Sequence, residues 1–124
     1  MKETERNEIR KIIEAERTRT RRARERISLR LSEARAEAER IAHRLAEADP
    51  EVRRVILFGS VAAGTVRSER FDIDLALEGG EYLSLMRVAE ESPFSVDLVD
   101  LDTCSKRFRR IVESRGVILY DARG

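Results

Sequence analysis

Residues 1 to 49 contain neither glycine nor proline and are dense in Glu, Arg and Ala. These are strong helix formers, so the whole stretch is expected to be helical. From Ile27 the apolar positions are Ile27, Leu31, Ala34, Ala38, Ile41, Leu45 and Ala48. Their spacing alternates four and three, which is a heptad seam. Such a seam fits packing on a sheet built by the rest of the chain as well as it fits a homo-oligomer formed through this helix. Extended backward, the seam meets Ile13 and Thr20 but also Arg17 and Arg24, so the stripe fails from roughly residue 14 to residue 26. Uninterrupted, such a helix would span about 74 Å at 1.5 Å per residue. A domain of this size is not that wide, so the first half is expected to project or break away. The expected division is a charged Arg-rich helical extension, 1–26, and a main domain, 27–124, with a first helix 27–49 and a sheet core 50–122. Ile9, Ile12 and Ile13 form a separate apolar patch suited to a partner or to self-association.

Asp49-Pro50 ends the helix, because a residue before proline is disfavoured in the helical region. Val52 to Phe58 then reads as a first strand, with a helical turn directly after Ser60 and a polar loop from Gly64 to Arg70. Phe71 to Leu77 reads as a second strand. Glu81 to Glu91 carries Tyr82, Leu85, Met86 and Ala89 at helical spacing. Phe94 to Leu101 reads as a third strand, Lys106 to Ser114 as a short helix with Gly116 as its C-cap, and Val117 to Tyr120 as a last strand. Asp100 and Asp102 suit a strand end and a helix N-cap.

The chemistry concentrates in two places. Leu57-Phe58 runs into Gly59-Ser60, and after eleven intervening residues Asp72-Ile73-Asp74 opens the second apolar run. Alternate strand residues share a face, so Asp72 and Asp74 stand side by side. Two ionised carboxylates there repel each other and are costly to desolvate unless a cation lies between them. A hard divalent ion with oxygen preference, Mg²⁺ first, is the natural occupant. The Gly-Ser turn offers close backbone approach, free N–H groups and a hydroxyl, which together suit a phosphate. Metal-assisted nucleotide chemistry is the expectation. Asp97, embedded in Ser95-Val96-Asp97-Leu98-Val99, shares strand parity with Val99 and Leu101 and is expected on a largely buried face.

Composition narrows the class. Charged residues make up 40% of the chain, yet the net charge is only +1, so the protein is rich in ion pairs rather than polyelectrolyte-like. A single cysteine, Cys104, excludes an intramolecular disulfide and a multi-cysteine metal site. His43 stands alone on a charged helix. No signal-like or membrane-length apolar run is present, and a soluble cytoplasmic protein with no membrane partner is expected.

Gly59-Ser60, Asp72, Asp74 and Asp97, with the flanking Val96-Asp97-Leu98-Val99-Asp100-Leu101 and the ending Arg115-Gly116-Val117-Ile118-Leu119-Tyr120, resemble the minimal nucleotidyltransferase branch of the DNA polymerase β-like superfamily. The resemblance covers roughly residues 50 to 122. It implies an α+β fold, a small mixed β-sheet flanked by helices, here with a long N-terminal helix. It further implies Mg²⁺-dependent transfer of a nucleotide monophosphate, with AMP from ATP the leading case, to a hydroxyl on a partner macromolecule. Asp72 and Asp74 would hold metal on the nucleotide phosphates. Asp97 would complete the second metal site and help deprotonate the acceptor. Gly59, Ser60 and Gly64 would belong to the phosphate-binding turn. Small members of the family are often antitoxins paired with a HEPN-type RNase toxin, some of which attach AMP to a toxin tyrosine, so a HEPN-type toxin is the implied partner. Two positions depart from the family pattern: Phe71 replaces a usual Ser, and Ala63 stands where a basic residue is common. Arg67 and Arg70 are the candidates to supply the missing charge to the triphosphate.

Two alternatives stand beside the enzyme. One is a polymerase β-like binding module that neutralises its partner by contact, with little or no catalysis. The other is a nucleotidyltransferase directed to RNA by the Arg-rich helix, since residues 17 to 26 hold six arginines. Residues 1 to 49 carry 14 basic and 11 acidic residues, a net of only +3, so the same run also suits a solvated helix or an acidic protein partner.

Overall fold

A computed structural model describes residues 2–124. One helix, α1 (Glu3–Ala48), runs unbroken through the Arg-rich segment. Its 46 residues span about 69 Å. Burial begins only at Ala34, with Ile27 and Leu31 half-buried before it. Everything N-terminal to Ile27 therefore projects beyond the sheet, carried by intrinsic propensity and by pairs such as Glu16–Arg19 at 3.0 Å. Asp49 stops the helix. Its carboxylate accepts from the Glu51 N–H at 2.9 Å and from the Glu81 N–H at 2.8 Å, bonds that hold its pKa below the ordinary value.

The other elements are β1 (Arg54–Phe58), α2 (Gly59–Ala63), β2 (Ile73–Glu78), α3 (Tyr82–Glu90), β3 (Val96–Asp100), α4 (Lys106–Arg115) and β4 (Val117–Asp121). The four strands make one mixed sheet in the order β3-β2-β1-β4. β1 pairs antiparallel with β2 and β4, while β2 pairs parallel with β3. This is the expected α+β arrangement of a small mixed sheet flanked by helices, with a long N-terminal helix.

Alternation along the strands gives the sheet two unequal faces. Val55, Leu57, Ile73, Leu75 and Leu77 form the larger core with Ala34, Ala38, Ile41, Ala42 and Leu45 of α1 and with Leu85 and Ala89 of α3. The alanines let α1 sit close, and each buried Leu or Ile contributes about 1.5–3 kcal/mol. The opposite face has a smaller core of Ile56, Ala76, Leu101 and Val112, covered by α4 alone. Phe58 and Phe108 meet there edge to face, with centroids 5.6 Å apart. Buried Glu78 fastens α4 to the sheet: Arg54 donates to both its oxygens at 2.9 Å, and Arg109 of α4 pairs with it as well. Full pairing of this kind is what makes a buried carboxylate tolerable.

Several strand bounds move inward from their expected positions. β1 begins at Arg54, β2 at Ile73 and β3 at Val96, because the ladders begin and end at these residues. The expected N-cap at Asp102 is a correction: Ser105 caps α4, accepting from the Phe108 N–H at 3.1 Å. Asp102 instead accepts from the Gly79 N–H at 2.8 Å and pairs with Arg53 at 2.9 Å. Among the described residues no helix is long and apolar enough to cross a membrane.

Candidate active site

The antiparallel pairing of β1 with β2 brings the C-terminal end of one strand to the N-terminal end of the next. Phe58 lies opposite Asp74, so the chain enters the Gly59-Ser60 turn beside that carboxylate. Parallel pairing of β2 with β3 sets Asp97 opposite Asp74 from the other side. Asp72 lies two residues before Asp74, in the segment that leads into β2. One edge of the sheet thus collects Gly59, Ser60, Asp72, Asp74 and Asp97 from three separate segments. By parity, Asp74 and Asp97 belong to the face that α4 covers, away from α1.

Electrostatics show how close the carboxylates are. Burial raises the pKa of Asp74, and the charges of Asp97 and then Asp72 raise it further. Gly59 is shaped by the same crowding. Its φ is +74°, a region glycine enters freely, and a Cβ built there would collide with the Asp74 carboxylate. The turn therefore requires glycine on both counts.

Asp97 is exposed, not buried as its parity with Val99 and Leu101 suggests. β3 is an edge strand, and α4 packs over β1, leaving this side of β3 open. Asp72 is exposed as well. As the side chains stand, no three His, Cys, Asp or Glu among the described residues are gathered tightly enough to enclose an ion. The donor set nevertheless fits a hard divalent cation. It consists of carboxylate oxygens alone, and their mutual repulsion is what such an ion relieves.

The other predicted residues separate into two groups. Ser60 sits in the first turn of α2, whose N-cap position, Phe58, supplies no side-chain acceptor, so the leading N–H groups have no cap. Gly64 is the left-handed C-cap of α2, with φ +73°. Arg67 and Arg70 lie exposed on the following loop, and Arg67 shares a groove with Arg24, Ile27 and Leu31 of α1. They are not drawn into the carboxylate cluster by any ion pair among the described residues. Phe71, partly buried in the segment before β2, packs against the α1-side core. Sequence reasoning missed Arg35, which donates to the backbone of α2. One charged residue beside the buried seam of a charged helix carries no signal that would single it out.

The mixed sheet thus brings a Gly-Ser turn and three carboxylates to one edge, the arrangement expected from the sequence. The family described as Polymerase beta, Nucleotidyltransferase matches residues 39–123, and the chain belongs to it. No curated protein matches the sequence. Among solved structures, the chain is similar to a toxin–antitoxin crystallised with AMP-PNP, at 27% identity and a TM-score of 0.56, covering 68% of this chain and 73% of the other. It also resembles the toxin–antitoxin MntA-HepT at 23% identity and a TM-score of 0.52, covering 71% and 74%. A third likeness is to a structure of the tri-AMPylated Shewanella oneidensis HEPN toxin in complex with MNT antitoxin, at 21% identity and a TM-score of 0.50, covering 75% and 74%. The last two are distant enough in sequence to speak for the fold alone.

Proposed function

We propose that this protein is a Mg²⁺-dependent adenylyltransferase that moves AMP from ATP to a hydroxyl of a partner protein, a HEPN-type toxin. The observation that carries this reading is the meeting of Asp74, Asp97 and Asp72 beside the Gly59-Ser60 turn. Likeness to a toxin–antitoxin crystallised with AMP-PNP supports the choice of nucleotide and of partner.

Asp72 and Asp74 would hold Mg²⁺ against the nucleotide phosphates, with Asp97 completing a second position. Bound there, Mg²⁺ supplies the positive charge that two-metal chemistry places on attacking and leaving oxygens. The uncapped N–H groups of α2 and the Ser60 hydroxyl would bind the β- and γ-phosphates and align the α-phosphorus. Asp97, exposed on its edge strand, is open to an incoming hydroxyl and would take its proton. The acceptor oxygen then forms a bond to the α-phosphorus, and the bond to pyrophosphate breaks. Phe71 leaves this path clear, since it packs against the α1-side core. Arg67 and Arg70 remain exposed on a loop beside α2, where they could neutralise the triphosphate.

The test is to incubate the protein and its partner with Mg²⁺ and ATP and to weigh both intact by mass spectrometry. Whole AMP increments on the partner, absent with Asp72→Asn, are the expected result. A stable complex with no increment would favour the contact-only module instead.

A further inference from the structure

α2 is only five residues long, and the Gly59-Ser60 turn proposed above to bind phosphate lies at its front. So short a helix cannot satisfy its own last carbonyls. The Gly64 and Thr65 N–H groups both return to the Ser60 carbonyl, Thr65 at 3.0 Å. The next two carbonyls are met from outside the segment. Arg35 of α1 donates from Nε to the Val61 carbonyl at 3.1 Å and from Nη2 to the Ala62 carbonyl at 3.4 Å. Gly64 makes room for this grip, since a Cβ there would stand 3.3 Å from Arg35 Nη2. A guanidinium at the negative end of a helix also complements its dipole. Arg35 itself is exposed, while its neighbour Ala34 supplies the buried contact with the core.

The opposite end of α2 begins at Gly59, close against the Asp74 carboxylate. The turn therefore abuts a carboxylate of the site at one end and is gripped at the other by a side chain from a distant helix. We infer that Arg35 is a positioning residue for the nucleotide: by holding the C-terminal end of α2 it sets the Gly59-Ser60 turn against Asp74. Affinity for the phosphate chain then depends on a side chain that touches no phosphate. This rests on the nucleotide site proposed above.

The full-length chain, titrated with AMP-PNP in the presence of Mg²⁺, provides the test. Arg35→Met keeps the aliphatic stem and removes both donors, and it should weaken AMP-PNP binding about tenfold, the scale of losing charge-assisted hydrogen bonds. Arg35→Lys keeps the charge without the planar fork and should fall between Met and wild type. It carries the test if the Met variant does not fold. Ile41→Val serves as the stability control: it trims a buried side chain of α1, keeps both Arg35 donors and should leave AMP-PNP affinity unchanged. Equal affinity of wild type and Arg35→Met overturns the inference, as does an equal loss in Ile41→Val, which would make the effect one of general stability. A wild-type chain that does not bind AMP-PNP overturns the nucleotide site itself and the inference with it.

Discussion

Asp74 carries a carboxylate that burial, Asp97 and Asp72 together push toward its neutral form. Such a group binds its proton more tightly folded than unfolded. As pH rises from the ordinary carboxylate value of 3.8 through the raised one, the fold is left with an unwelcome charge and loses stability. Above the raised value the loss is complete and stays. Glu113 and Asp121 act in the opposite sense, because hydrogen bonds from Arg54 and from Arg123 hold their pKa values down. Without metal, Asp74→Asn should therefore melt above wild type at pH 7, and the advantage should fade as pH falls to 3.8 and below. The same substitution should cut nucleotidyl transfer on the order of 10³-fold, since metal-borne charge stabilisation is worth several kcal/mol. Thermal melts across pH check the first half. A variant less stable than wild type at pH 7 would mean that the Asp74 charge is already compensated. A residue that destabilises the empty site and is required by the filled one is what a functional carboxylate looks like energetically.

At the scale of elements, α1 does two separable jobs. From Leu31 onward it packs into the core, and Arg35 reaches α2. Before Ile27 it presents Ile9, Ile12 and Ile13, the middle one 63% exposed, to solvent. Deleting residues 2–24 keeps the Arg26–Glu69 pair and every buried residue. The melting temperature should then move by less than about 4 °C, the shift that 1 kcal/mol produces in a domain near this size. Calorimetry decides it, and a larger fall would place the projecting half inside the cooperative unit. The helix itself was legible from composition. The absence of Gly and Pro predicts helix, and the end of the apolar seam at Ile27 predicts where packing stops. The strands and the carboxylate spacing were legible for the same reason, period. What periodicity lacks is knowledge of which face is covered. Asp97 has the alternation of a buried residue, but its face is open because α4 is short and lies over β1. Ser105 displaced Asp102 as the cap of α4 because Asp102 is engaged by Gly79 and Arg53, partners distant in sequence.

Over the whole molecule, the strand order does the assembling. Antiparallel β1–β2 and parallel β2–β3 pairing bring the end of β1 and the starts of β2 and β3 to a single edge. Residues 59, 74 and 97 meet there although long stretches of chain separate them. The thick core lies on the α1 side of that edge, and the α4 side has the thinner cover. Paramagnetic resonance with Mn²⁺ in place of Mg²⁺ tests whether this edge is a metal–nucleotide site. With AMP-PNP present, the full-length protein should take up about two Mn²⁺ per chain, and Asp74→Asn and Asp97→Asn should each lose bound metal. Wild-type protein that takes up no Mn²⁺ with AMP-PNP, or variants that bind it as wild type does, would contradict the account.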